Sequence, residues 1–345
     1  MYASEMQATA AAMVAEGKGI LAADESGGTI GKRFKTIGIE SSVENRRAYR
    51  DMLLTTAGLG DFISGVILYD ETIRQATAAG VPFAQYLLKQ GMVPGIKVDT
   101  GAQDLALCPG EKVTEGLDGL RPRLAEYREL GARFAKWRAV ITIGKDIPSL
   151  TCMETNAHAL ARYAALCQEA GIVPIVEPEV LMDGGHSIER CFEVTSATLE
   201  CLFNALSRQR VVLEHTVLKP SMVISGSECS RKAGVEEVAA QTLLCLKRTV
   251  PAAIPGIVFL SGGQTDELAT AHLNAMNAMR DASTPWPLSF SYGRALQHPS
   301  LQTWKGAAGN VAKAQQVLLH RAKMNGLACF GTYNAEAERS LQQAA

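Results

Sequence analysis

No stretch of the chain approaches the roughly 20 consecutive apolar residues that a membrane-spanning helix needs, so a spanning segment is excluded. The start, Met1-Tyr-Ala-Ser-Glu-Met6, has no basic region followed by an apolar one, and a cytoplasmic location is expected. Net charge is also missing: at -1 the global field recruits neither nucleic acid nor an anionic membrane. Neither is expected as a partner, any anion site must be local, and the substrate is expected to be small. Cysteines lack CxxC spacing; the eight of them (108, 152, 167, 191, 201, 229, 245 and 329) are scattered, as buried free thiols in a reducing compartment would be. The six histidines (158, 186, 215, 272, 298 and 320) form no HxH, HxxxH or His-Cys cluster and read as surface or core residues. Asp70 and Asp99 could in principle ligate Mg²⁺, but no spacing specifies it, and no metal is assigned. No internal repeat and no Pro/Ser-rich linker divides the chain, so a single domain is expected over residues 1–333, followed by an Ala- and Gln-rich tail at 334–345.

What is present is a large apolar fraction, 47%, enough for a substantial core. Eight short apolar runs, mostly rich in Val and Ile, fall at 18–24, 63–70, 93–99, 133–140, 172–179, 211–223, 254–263 and 288–293. Between most of them lie longer stretches with helical spacing, such as 153–170, 188–210 and 235–249. Strands alternating with helices imply parallel strands joined by right-handed crossovers, and eight such units predict an α/β fold, a (β/α)8 TIM barrel. A doubly wound open sheet is the alternative, but its Gly-rich turn is missing after the first strand. The segment in that place, Asp24-Glu25-Ser26-Gly-Gly-Thr29-Ile-Gly31-Lys32-Arg33, nearly spells a P-loop, yet Ser26 stands where Gly is needed and Arg33 where Ser or Thr is needed. It reads either as a Gly-rich loop capping a helix or as a phosphate contact made by hydroxyls and basic side chains. Residues 106–119 read as a polar loop.

In a parallel barrel, catalytic groups come from the C-terminal ends of the strands and the loops beyond them. Here those ends carry Asp24, Asp70, Lys97 with Asp99, Lys136 with Arg138, Glu177 with Glu179, Lys219, Ser261-Gly262-Gly263, and Ser291-Tyr292-Gly293-Arg294. Charge in such places is costly unless paired or presented to a ligand, so the cluster points to a site. Lys219 leaves an apolar strand just before Pro220. Desolvation and a neighbouring cation would favour its neutral amine. At the ordinary lysine pKa of about 10.4 only about 0.04% is neutral at pH 7, whereas near 7.5 about a quarter is. Such an amine suits attack on a carbonyl, with a nearby carboxylate removing the carbinolamine oxygen as water. A structural ion pair with a strand-end glutamate uses the same geometry and stays open as an alternative. For Lys136 and Arg138 the alternatives are ion pairing or phosphate contact. The glycines of 261–263 and Gly293, with Arg294, fit the phosphate position after the last two strands, and ordinary turns are the other reading. Basic residues near Arg33 are expected on the opposite side of the mouth, so that one substrate could carry two phosphates.

Seven segments together carry a family likeness: Leu21-Ala-Ala-Asp-Glu-Ser26, Gly95-Ile-Lys-Val-Asp99, Phe134-Ala-Lys-Trp-Arg138, Ile175-Val-Glu-Pro-Glu179, Leu218-Lys-Pro220, Phe259-Leu-Ser-Gly-Gly263 and Phe290-Ser-Tyr-Gly-Arg-Ala-Leu296. In this order the chain resembles class I fructose-1,6-bisphosphate aldolase from about Gly17 to Tyr333. The resemblance implies reversible, metal-independent cleavage of fructose 1,6-bisphosphate to dihydroxyacetone phosphate and glyceraldehyde 3-phosphate, with no cofactor beyond a covalent lysine imine. It implies Lys219 as the Schiff-base lysine, Glu177 as acid/base for imine formation, and Glu179 in the same network. Asp24 would handle the hydroxyl proton during carbon–carbon cleavage, with Lys136 close by, Arg138 supporting the substrate and Lys97 a further site lysine. Ser261, Gly262, Gly263, Ser291, Gly293 and Arg294 would hold the ketose phosphate; Ser26, Thr29, Lys32 and Arg33 would hold the other. A homotetramer is implied as well. A related enzyme preferring sedoheptulose 1,7-bisphosphate or fructose 1-phosphate, and a non-enzymatic sugar-phosphate-binding scaffold, are the alternatives. Animal members of the family carry a longer tail ending in tyrosine that assists proton exchange at the enamine. This chain ends Leu341-Gln-Gln-Ala-Ala345. Slower enamine protonation, or another group for it, is therefore expected; Tyr333, the last tyrosine, sits in no matching motif.

Overall fold

The structure, a computed structural model, describes residues 2–339. Ten strands are interspersed with helices: β1 Gly19–Ala23, β2 Ile63–Leu68, β3 Val93–Lys97, β4 Gly101–Asp104, β5 Lys112–Glu115, β6 Phe134–Ile141, β7 Val173–Val180, β8 Val217–Leu218, β9 Ile257–Phe259 and β10 Leu288–Tyr292. Eight of them close a barrel in the order β1-β2-β3-β6-β7-β8-β9-β10, every pair parallel. The (β/α)8 expectation therefore holds, and the open sheet does not. The connecting helices are α1 Ala3–Met13, α2 Gly27–Lys35, α3 Val43–Leu54, α4 Asp70–Ile73, α5 Phe83–Lys89, α6 Leu120–Glu129, α7 Leu150–Glu169, α8 Ile188–Arg208, α9 Val235–Thr249, α10 Asp266–Ala278, α11 Arg294–Trp304, α12 Val311–Cys329 and α13 Ala335–Arg339. Among the described residues no helix is long and apolar enough to cross a membrane.

The N-terminal end of the barrel is stoppered. Met6, Ala10 and Met13 recur at spacings of four and three, so they share one face of α1, and that face packs with Ile20, Phe134, Val173, Val217 and Val258. Phe134 fills the interior because its neighbours withdraw: a Cβ on Gly95 would come within 2.2 Å of its ring, and one on Gly65 within 3.0 Å. The start of α1 is tied down by Tyr2, whose ring lies 4.2 Å from the Arg128 guanidinium carbon, while Arg128 also pairs with Glu5 at 2.7 Å.

Two segments differ from expectation. The run at 211–223 is not one strand: a 3₁₀ turn at Leu213–His215 interrupts it, and only Val217–Leu218 joins the ladder. Polar bonds at Val212, whose carbonyl accepts from Gln168 and Thr216, divert the backbone, and Pro220 offers no N–H to extend the ladder. The polar loop at 106–119 instead ends in β5, which pairs antiparallel with β4 outside the barrel. Buried Asn156 holds this hairpin, accepting from the Thr114 N–H and donating to the Lys112 carbonyl. At the C-terminus, residues 335–339 form a short helix docked through ion pairs from Glu338 to Arg321 and to His320. The remainder of the expected tail, 340–345, lies outside the described residues.

Candidate active site

The carboxyl ends of the strands open into a cavity of about 1000 Å³. It brings together the side chains and glycines that the family likeness implies for the site: Asp24, Ser26, Thr29, Lys32, Arg33, Lys97, Lys136, Arg138, Glu177, Glu179, Lys219, Ser261, Gly262, Gly263, Ser291, Gly293 and Arg294. Asp70 is elsewhere, bonded to Arg74 and Tyr127 on the outer surface.

The interior of this cavity is lined by a continuous chain of alternating charge. Glu177 lies 3.1 Å from the Lys219 Nζ through one carboxylate oxygen and 3.6 Å from the Lys136 Nζ through the other. Lys136 in turn meets Asp24 at 2.7 Å and Asp99 at 3.9 Å, and Asp99 meets Lys97 at 2.7 Å. Strand register makes this possible: Lys97 pairs with Lys136 across β3 and β6, and Arg138 with Glu177 across β6 and β7. Arg138 leans further outward and grips Glu179. Four cations and four carboxylates thus neutralise one another in a largely buried place, as buried charge requires.

Electrostatics divide the roles. Burial pushes the Asp24 carboxyl up, but the ammonium groups of Lys136 and Lys219 outweigh it and hold the carboxyl at about 2. Burial works against the Lys136 ammonium, yet Asp24, Glu177 and Asp99 together raise its pKa. In the resting site Asp24 is therefore ionised and Lys136 is a cation. Lys219 has fewer partners: among the described residues its single ion-pair contact is with Glu177, at 3.1 Å. The ion pair with a strand-end glutamate that the sequence offered is present, in the geometry that a nucleophilic lysine beside a carboxylate would also use.

The rim gathers hydroxyls, glycines and basic side chains. Ser26 caps α2 by accepting from the Thr29 N–H at 3.5 Å, so the loop that resembles a P-loop caps a helix and lines the cavity at once. The turn at 261–263 uses two left-handed glycines, Gly262 at φ 57° and Gly263 at φ 91°. Barrel closure sets β1 beside β10, which corrects the expectation that Arg33 faces the last loops from the opposite side. A Cβ on Gly293 would lie 3.9 Å from Arg33 Nη2, and one on Gly263 3.4 Å from Arg294 Nη2. The two basic groups occupy adjacent sectors of the rim.

Some contributors had no signal strong enough to find. Glu25 binds Arg33, buried Arg50 (2.6 Å) and Gln297 (2.8 Å), and so anchors the rim arginine from behind. Arg50 shares a helix face with Leu53 and Leu54, and an arginine on an apolar stripe is the cue that asks for a buried partner. Asp99 reads from sequence as a strand-end carboxylate and a weak metal candidate, with no role assigned; here it bridges two lysines.

A closed parallel barrel whose carboxyl end gathers lysines, carboxylates and phosphate-type turns has the layout of a barrel enzyme acting on small anionic substrates. The family model described as fructose-bisphosphate aldolase class-I matches residues 5–345, and the chain belongs to that family. A probable fructose-bisphosphate aldolase class 1 of Xanthomonas campestris pv. campestris is 66% identical over 96% of this chain and 99% of its own length. A fructose-bisphosphate aldolase of Dictyostelium discoideum is 54% identical over 97% of this chain and 94% of its own. The crystal structure of fructose-bisphosphate aldolase from Plasmodium falciparum superposes with a TM-score of 0.95 at 51% identity, covering 97% of this chain and 96% of that one.

Proposed function

We infer that the protein reversibly cleaves fructose 1,6-bisphosphate to dihydroxyacetone phosphate and glyceraldehyde 3-phosphate, the aldol step shared by glycolysis and gluconeogenesis, through an imine on Lys219. The observation that carries this reading is the 3.1 Å contact between Lys219 Nζ and Glu177 inside the cavity. Glu177 takes a proton from the lysine, and the neutral amine attacks the C2 carbonyl. Protonated Glu177 then returns that proton to the carbinolamine oxygen, which leaves as water. The resulting iminium accepts the electron pair of the C3–C4 bond while ionised Asp24 accepts the C4 hydroxyl proton, releasing the aldehyde and leaving an enamine. Protonation at C3 and hydrolysis free the ketone and regenerate the lysine. Lys136 keeps its charge throughout and offsets the carboxylates on either side. In this class the lysine imine does the work of electron withdrawal that a metal ion would otherwise supply.

The rim residues Ser261, Gly262, Gly263, Ser291, Gly293 and Arg294 are assigned to the ketose phosphate, and Ser26, Thr29, Lys32 and Arg33 to the other, with Lys97, Arg138 and Glu179 orienting the chain between them. Adjacent basic sectors fit an arched bisphosphate. A homotetramer rests on the family resemblance, and sedimentation at micromolar concentration reads it; the free cysteines, which fit a reducing compartment, support a cytoplasmic location. The decisive experiment is borohydride reduction with dihydroxyacetone phosphate followed by peptide mapping. Wild type gives an adduct on Lys219 and activity insensitive to EDTA. Lys219→Met loses the adduct and at least about four orders of magnitude in kcat, as loss of a covalent nucleophile does. Substantial cleavage by that variant would overturn the reading.

A further inference from the structure

Behind the turn at 261–263 sits a buried group with no part in the chemistry above. The turn presents Ser261, Gly262 and Gly263 to the cavity but sends the next residue, Gln264, into the core, where it is 6% exposed. The Gln264 N–H closes the turn on the Ser261 carbonyl at 3.0 Å. Its side-chain amide then makes two contacts: Oε1 lies 2.5 Å from Nδ1 of His272, and Nε2 donates to the Met222 sulfur at 3.5 Å. A thioether can only accept, so the amide NH₂ faces Met222, its carbonyl faces the imidazole, and Nδ1 carries the proton. The other imidazole nitrogen, Nε2, is buried without a partner among the described residues, although His272 is only 1% exposed. Burial holds the ring neutral, with a pKa down to about 4, so one tautomer persists at physiological pH.

Met222 lies three residues beyond Lys219, and the same segment is tied to the turn by the Leu260 N–H donating to the Pro220 carbonyl at 3.2 Å. One amide therefore links the turn to the segment that carries the lysine, and one histidine fixes which way that amide points.

We propose that His272 is a positioning residue for the 261–263 turn, locking Gln264 between α10 and the Lys219 segment so that the turn meets a ketose phosphate at a fixed distance from the imine-forming amine. The inference rests on the reading of that turn as a phosphate site. Its signature is selective: the phosphate contributes less to capture of the ketone, while the lysine itself reacts as before.

Borohydride trapping on Lys219 tests this with two probes, dihydroxyacetone phosphate and unphosphorylated dihydroxyacetone, in wild type, His272→Leu and Gln264→Met. His272→Leu is expected to lower trapping efficiency with the phosphorylated probe about tenfold, because a misplaced contact of this kind costs one to two orders of magnitude. Trapping of dihydroxyacetone stays within about twofold. Gln264→Met gives the same selective loss, and the double variant loses no more than either alone, as two members of one coupled unit do. An unchanged phosphate preference in both variants, or an equal fall for both probes, overturns the role of His272 while leaving the phosphate turn standing. If His272→Leu shows no cooperative melt, Gln264→Met, which retains the imidazole, decides by the same criterion. A wild type that does not prefer the phosphorylated ketone at all overturns the phosphate turn and this inference together.

Discussion

The two ends of the barrel are built from the same strands and could hardly differ more. At the N-terminal end Phe134, Val173, Val217 and Val258 meet an apolar helix; two residues along β6 from Phe134, and at the carboxyl ends of the other strands, Lys136, Glu177 and Lys219 meet one another. Stability at the floor comes from area removed from water, about 25 cal/mol per Å², and needs only shape. At the mouth, desolvation works against every charge, and the arrangement persists because each ion has an opposite partner within 4 Å. One end can be altered at a cost in folding, the other at a cost in chemistry. The separation is sharp because side chains alternate along each strand while the barrel fixes which end they reach.

The largest stability effect that would break this contrast is at the floor. Phe134→Ala removes the ring against which Gly65 and Gly95 are shaped, and glycines cannot grow to fill the gap. Chemical denaturation should show a loss of about 3–5 kcal/mol, while kcat of the folded fraction changes less than about threefold. A proportionate fall in kcat would mean that floor and mouth are mechanically one unit.

Much of this contrast could be read before any coordinates. Lys136, Glu177 and Lys219 are conspicuous because they place charge within or at the end of apolar runs, and the repeated strand–helix rhythm fixes the barrel that gathers them. The features that escaped did so for physical reasons. The β4–β5 hairpin has a single buried residue, Thr114, so it lacks the apolar alternation that marks a strand. The α1 stopper is Ala-rich, and its buried methionines stand out only once the open end of a barrel is known to need closing. His272 reads as one more core histidine, since its meaning lies in Gln264 and Met222, which are remote from it in chain or in chemistry. The relation of Arg33 to Gly293 depended on closure itself: a linear order puts the first and last strands farthest apart, and a barrel makes them neighbours.

A middle-sized effect sharpens the comparison through pH. Asp24 titrates at about 2 in the folded chain, below its ordinary value. Its carboxylate therefore contributes stability that is complete above about pH 5 and is lost as pH falls through 4 toward 2. The shift corresponds to stabilisation on the order of 2 kcal/mol. The stability difference between wild type and Asp24→Asn, from urea unfolding at each pH, should be flat from 5 to 7 and shrink below 4, with cleavage lost in the variant at every pH. For Phe134→Ala the corresponding difference should show no such trend, because no proton is exchanged at the floor.

The smallest effect concerns the outermost part of the mouth. Lys32 is exposed on α2 and lines the rim, so water and salt screen any phosphate it meets. Lys32→Ala should raise KM for fructose 1,6-bisphosphate by about two- to fivefold at low salt, with kcat unchanged, matching a contact worth no more than about 1 kcal/mol. At 0.5 M salt, where the Debye length falls to about 4 Å, the variant and wild type should converge. Lys136, enclosed among Asp24, Glu177 and Asp99, should show no such salt relief on substitution. A Lys32 effect that persisted at high salt would place this side chain in direct, desolvated contact with the phosphate and extend the chemistry of the site's interior to the rim.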